Sequence, residues 1–135
     1  MTDRDRPAAI REELARADTA LAAADLLAGG GFPADAVSRL YYSLYFRVRA
    51  LLLTLDLEPR SHEGALRLLS LHFVKSGRLD REAAHLFSRL MKYREEADYT
   101  ASVEYTAEDV ARFRAEIESV SERIAELIRA AGYGR

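Results

Sequence analysis

Between Pro33 and Asp56 apolar side chains fall on almost every side of a helix: Leu40, Tyr41, Leu44, Tyr45, Val48, Leu51, Leu52 and Leu55. A helix with so broad an apolar surface has to be covered by other helices or by a second subunit. The segment therefore predicts the central helix of a bundle. Pro33 suits its first turn. Leu57-Glu58-Pro59-Arg60 reads as the loop after it, because proline disfavours helix in the residue before it.

Four further segments carry apolar residues three and four apart, the period of one helix face. The first runs from about Pro7 to Ala28, with Ile10, Leu14, Ala17, Leu21 and Ala24, and Gly29-Gly30-Gly31 ends it. The third runs from Ser61, a plausible N-cap, to about Ser76, with Leu66, Leu69 and Phe73 inward and Gly77 as its stop. The fourth runs from Asp80 to Ala97 on Leu86, Leu90 and Met91. The fifth opens on Thr106-Ala107-Glu108-Asp109, a capping box with Asp in place of Glu, and carries Val110, Phe113, Ile117, Val120, Ile124 and Leu127 to about Ala131. Gly132 and Gly134 predict a frayed tail, and Tyr99–Tyr105 a short link. The expected architecture is all-α: a single domain over 1–135, core about 7–131, built as an up-and-down bundle of four to five antiparallel helices joined by short links.

Composition narrows the function. With 49% hydrophobic and 31% charged residues the chain belongs with folded, soluble proteins. It has no cysteine, which removes disulfides and thiolate chemistry. Met-Thr-Asp-Arg-Asp-Arg does not open a signal peptide, and no apolar run approaches the roughly 20 residues of a membrane span. A cytoplasmic location, with no membrane partner, is the expectation. A net charge of -2 argues against a protein that coats nucleic acid, but the charge is uneven: residues 36–75 carry six Lys/Arg against three acids, which makes the middle third the anion-facing part.

The chemistry-bearing residues are few. Arg94 and Asp98 stand four apart on one helix face. They form either a surface ion pair worth about 0.3–0.5 kcal/mol or a clamp in which Asp98 orients the Arg94 fork toward a phosphate. Tyr99 lies about 140° round the helix from Arg94, so it reaches the same ligand only if the helix ends or turns there. His62, beside Arg60 at the start of the third helix, is either an exposed first-turn residue or part of an anion site with the free amides. His72 and His85 sit among apolar positions. No two histidines have metal-ligand spacing on one helix, so no metal is expected, and no cofactor motif is present. The run from Arg39 to Arg47 mixes aromatics with Arg and reads either as a base-stacking, phosphate-contacting surface or as a core helix. Tyr41 and Tyr45 read as core residues whose hydroxyls reach the bundle edge, whereas Tyr42 and Arg49 read as exposed.

Four stretches together resemble the HEPN superfamily, in particular its small stand-alone prokaryotic branch with an R-x-x-A-D-Y signature: Arg39-Leu40-Tyr41-Tyr42-Ser43-Leu44-Tyr45-Phe46, Pro59-Arg60-Ser61-His62-Glu63-Gly64, His72-Phe73-Val74-Lys75-Ser76-Gly77 and Arg94-Glu95-Glu96-Ala97-Asp98-Tyr99. The resemblance spans roughly residues 10–130. It implies a helical homodimer, often paired with a minimal nucleotidyltransferase in a toxin–antitoxin arrangement. In active members it implies a metal-independent ribonuclease whose motif Arg is followed four to six residues later by His. Here Arg94 matches the Arg, but Tyr99 stands where His is expected, followed by Thr100 and Ala101. A phenol, with an ordinary pKa near ~10, is a poor base at neutral pH.

The expectation is thus a HEPN-type dimer that binds RNA or nucleotide through Arg94, Asp98 and Tyr99, with Arg60 and His62 as further binding candidates and little or no catalysis. A ribonuclease toxin using Arg94 with Tyr99 or His62 is the first alternative. A non-catalytic protein that docks a nucleotidyltransferase is the second.

Overall fold

The computed structural model describes residues 2–99 and 104–134, and these form five α-helices without a strand. They are α1 (Arg6–Gly29), α2 (Pro33–Leu53), α3 (His62–Leu69), α4 (Arg81–Tyr99) and α5 (Ala107–Ala130). The expected all-helical bundle is what forms. No helix among the described residues is long and apolar enough to cross a membrane. Residues 100–103, the body of the predicted link between the last two helices, lie outside the described residues.

The broad apolar surface of α2 is covered on all sides. Each of the other four helices packs on it, and Leu40, Tyr41, Leu44, Val48, Leu51 and Leu52 are fully buried. Ile10 and Ala24 come in from α1, Phe87 and Leu90 from α4, and Ile117 and Ile124 from α5. Burial of large apolar side chains at about 1.5–3 kcal/mol each makes α2 the element on which the others depend.

Helix ends depart from periodicity where local hydrogen bonding decides. α2 stops at Leu53, three residues before the predicted Asp56, because Asp56 N–H donates to the Leu53 carbonyl (2.9 Å) and Leu57 N–H to that of Leu52 (3.1 Å). Asp56 takes the left-handed conformation, φ 59°, that closes such a turn. Leu55 consequently leaves the predicted core stripe and is exposed. The third helix was expected unbroken to Ser76. Instead α3 passes at Ser70–Val74 into a π-helical turn, in which Lys75 N–H reaches back to the Ser70 carbonyl (2.9 Å). Gly77, at φ 80°, then stops the chain. α4 extends two residues past the predicted Ala97.

The Ser61 and Thr106 caps hold. Ser61 Oγ accepts from Gly64 N–H (2.9 Å). Thr106 Oγ1 accepts from Asp109 N–H (3.1 Å), while Asp109 accepts from Thr106 N–H (2.9 Å). The tail is not frayed as expected: Tyr133 N–H bonds to the Ile128 carbonyl (3.2 Å), and the Tyr133 side chain packs against the core.

Candidate functional site

Three helices converge on one aromatic cluster. Helical spacing puts Tyr41, Tyr42 and Tyr45 on adjoining faces of α2, with Tyr41–Tyr45 ring centroids 5.9 Å apart and stacked. The first residue of α3, His62, lays its ring 4.4 Å from Tyr45 and 5.5 Å from Tyr41. The Ser61 cap fixes where α3 starts, and so fixes where His62 projects. From α4, the Arg94 guanidinium carbon stands 5.4 Å from the Tyr41 ring centre and 5.8 Å from that of Tyr42. His62 also lies 6.2 Å from the Tyr42 ring, so His62 and Arg94, thirty-two positions apart in sequence, share Tyr41 and Tyr42 as neighbours.

Arg94 is held but under-used. Its side chain is only 11% exposed, and its two ion pairs are long, 3.7 Å to Glu95 and 3.8 Å to Asp98. Neither is close enough to be a hydrogen bond. Its Nε is buried and has no hydrogen-bond partner among the described residues, as is true of Arg6 and Arg47; those two, unlike Arg94, pair through a terminal nitrogen with a carboxylate at 3.0 Å. Buried donors are nearly always satisfied, and the cation–π contacts with Tyr41 and Tyr42 leave the guanidinium N–H groups free. The site presents a fixed, partly desolvated fork of donors.

The Tyr41 hydroxyl and His62 Nδ1 are 2.5 Å apart. Tyr41 is fully buried, and its burial, then the nearby Tyr45, pushes its pKa well above the ordinary phenol value. It therefore keeps its proton and needs an acceptor for it. His62 Nδ1 is the one acceptor it meets among the described residues. With Tyr41 as the donor, His62 is neutral and carries its proton on Nε2. Burial, and after it the Arg94 charge, lower the His62 pKa from its usual value, which agrees with that assignment.

The other candidates are placed around this cluster. Asp98 is one-third exposed beside Arg94. Tyr99, the last residue of α4, is 79% exposed, and no ring or hydrogen-bond contact joins it to the cluster among the described residues. The helix neither ends nor turns before it, which was the condition for reaching Arg94's ligand. Arg60 is exposed two residues before His62. Tyr42 and Arg49, expected to be exposed, are half-buried: Arg39 lies 4.7 Å over the Tyr42 ring, and Arg49 bonds the buried Glu13 (3.0 Å). His85 is exposed and His72 half-buried. Tyr41 as the orienting partner of His62 was missed. The aromatic run was visible, but nothing in its spacing shows which distant side chain its hydroxyls meet.

The helical bundle is the fold that the resemblance implied, and comparison with known proteins agrees on the family. The HEPN domain family matches residues 10–128. The chain belongs to that family. Among its relatives, a Methanocaldococcus jannaschii protein named "Putative toxin MJ0142" is 37% identical over 94 residues, 70% of this chain and 64% of the relative. The chain thus spans a little under two thirds of that relative's length. A "UPF0332 protein" of Thermotoga maritima is 34% identical over 94 residues, 70% of this chain and 71% of its own. A second M. jannaschii protein, "Putative toxin MJ0605", is 35% identical over 95 residues, 67% and 71% of the two chains.

Proposed function

We propose that this chain is an RNA- or nucleotide-binding HEPN protein that works as a homodimer, with a minimal nucleotidyltransferase as its partner in a toxin–antitoxin-type pair. The observation that carries the binding role is the buried, unpartnered Nε of Arg94 beside long ion pairs. A phosphate matches those donors: its oxygens accept bidentately from a guanidinium. The Nε2–H of His62 is a second donor near the same rings, and Asp98 restrains the fork from the other side. The naming of two relatives as toxins supports the pair; the partner and the dimer rest on family resemblance.

A ribonuclease is the second reading, favoured by one observation: His62 and Arg94 share Tyr41 and Tyr42 as neighbours. In that reaction the 2′-hydroxyl oxygen attacks the adjacent phosphorus, the 5′-oxygen leaves, and a base takes the hydroxyl proton while Arg94 stabilises the added negative charge. His62 is nearer the required place than the exposed Tyr99. The hydrogen bond from Tyr41 weighs against it, because a neutral imidazole with its proton on Nε2 and its Nδ1 occupied has no free lone pair to take a proton. The tautomer suits holding a phosphate better than cleaving beside one.

The test is a titration of labelled oligouridylate at two salt concentrations, with wild type and Arg94→Gln. Binding should weaken as salt rises, and the substitution should flatten the salt dependence by about one phosphate contact. Affinity indifferent to both salt and Arg94 rejects the reading. Incubation in EDTA separates the alternatives: intact RNA fits binding alone, while cleavage abolished by Arg94→Gln establishes the ribonuclease.

A further inference from the structure

Away from the Arg94 site, the π-helical turn and the start of α4 enclose an open groove of about 630 Å³. Its apolar lining is Leu71, Val74 and Ala84, and its polar lining is Arg67, Lys75 and Arg81 with Ser70 and His85; no carboxylate is among the lining residues. We propose that this groove docks an acidic amphipathic segment of a protein partner, with an apolar side chain set between Leu71 and Ala84 and carboxylates meeting the three cations.

Three observations converge on it. The first is the backbone. A π turn inside a helix is rare and tends to sit at functional places. Here it sends Phe73 into the core, at 1% exposure, while Leu71 stays 51% exposed. The second is charge. Arg67, Lys75 and Arg81 are exposed, and none pairs with a carboxylate among the described residues. Some arginines elsewhere on the bundle are answered, Arg89 by Glu116 (2.7 Å), Arg112 by Asp109 (2.9 Å) and Arg114 by Asp25 (3.0 Å). Arg11, Arg60 and Arg129 are exposed without an ion pair among the described residues, but they do not border a shared apolar groove. The positive end of the α4 dipole lies at the same place, offset by Glu82 in that first turn. In a chain of net charge -2, this is local positive charge around exposed apolar surface. The third is spacing. Arg67, Leu71 and Lys75 follow one another at intervals of four, placing an apolar contact between two cations along one face, which an amphipathic helix can match.

The same features disfavour RNA. A nucleic-acid groove pairs its cations with aromatic platforms for bases, whereas the one ring lining this groove is the His85 imidazole and its apolar part is aliphatic. The groove is also separate from the phosphate site, since Arg81 and Arg94 are about 20 Å apart along α4 at 1.5 Å per residue. The proposal stands or falls independently of that site.

The test uses the full chain and three fluorescent probes: a synthetic amphipathic helix of Leu and Glu, the same peptide with Lys for Glu, and oligouridylate. The Glu peptide should bind with a Kd below about 100 μM and the Lys peptide should not. Arg67→Glu with Arg81→Glu, and separately Leu71→Ser, should each weaken the Glu peptide at least about tenfold. Arg94→Gln should leave it unchanged. These residues are exposed, so the variants should keep their helical circular dichroism and melting. No binding up to about 1 mM overturns the proposal, as does binding indifferent to Leu71 and the cations. Oligouridylate competing for the groove in an Arg81-dependent way overturns it in favour of nucleic acid. A change of oligomeric state in Leu71→Ser overturns it in favour of a second copy of this chain.

Discussion

The Tyr41 hydroxyl and His62 Nδ1 are hydrogen-bonded across 2.5 Å, joining the middle of α2 to the first residue of α3. With the buried Tyr41 as donor, the imidazole carries its proton on Nε2. The bond also holds His62 against the rings that carry Arg94.

Tyr41→Phe keeps the ring and removes the donor. The neutral imidazole loses the bond that favours it, so the His62 pKa should rise. It should stay below the ordinary value, because burial and Arg94 remain. Stability should fall by about 1 kcal/mol. An NMR titration of the His62 ring protons reads the first and a denaturant melt the second. A pKa that falls further would mean that Tyr41 accepts rather than donates.

The depressed pKa also sets a pH dependence. Below about pH 6.5 the unfolded chain protonates this histidine while the folded one resists. The unfolded state then binds more protons, so stability drops as pH falls from about 6.5 through the folded pKa, and the contribution is fully present above that window. His62→Gln should remove this part of the slope and leave the loss at lower pH that carboxylates cause. Identical pH profiles for wild type and variant between pH 5 and about 7 would contradict it.

Arg94→Met retains much of the packing against Tyr41 and Tyr42 without the charge. Because Arg94 is the second cause of the low His62 pKa, that pKa should rise. Oligonucleotide affinity should fall about tenfold, or about 1.4 kcal/mol, with folding stability changed by less than about 1 kcal/mol. Unfolding of the variant, seen as lost helical circular dichroism, would show Arg94 to be structural instead.

Ser61 and Gly64 form a coupled pair. A Cβ added at Gly64 would lie 3.0 Å from Ser61 Oγ, the atom that caps α3. Gly64→Ala in the wild type should displace the cap and cost more than the helix propensity it gains. In Ser61→Ala, which itself costs about 1 kcal/mol, the same change should stabilise by up to about 1 kcal/mol. A double-mutant cycle read by thermal melts checks the change of sign.

The bundle was legible in the sequence because apolar period and end signals agreed. Thr106 and Asp109 announce their capping box, Ser61 its cap, and the breadth of apolar residues on α2 its central place. Three features were not legible. The π turn at Ser70–Val74 shifts the register by one residue without changing the apolar pattern that flanks it. Asp56 ends α2 by adopting a left-handed conformation that residue type alone does not demand. The Tyr41–His62–Arg94 cluster is tertiary: each residue belongs to a different helix, and only the packing of α3 and α4 on α2 brings them together. The family signature drew attention to Arg94, Asp98 and Tyr99 as one string, yet the fold puts Arg94 against the rings and Tyr99 out in solvent.

The most direct test of a phosphate at Arg94 is the NMR signal of its Nε–H, recorded while a short oligouridylate is added at constant ionic strength. A buried, unpartnered donor that receives a phosphate should show a saturable downfield shift, with a midpoint equal to the oligonucleotide Kd measured by anisotropy. An Arg94 Nε–H signal that stays in place while the oligonucleotide saturates the protein would contradict the account.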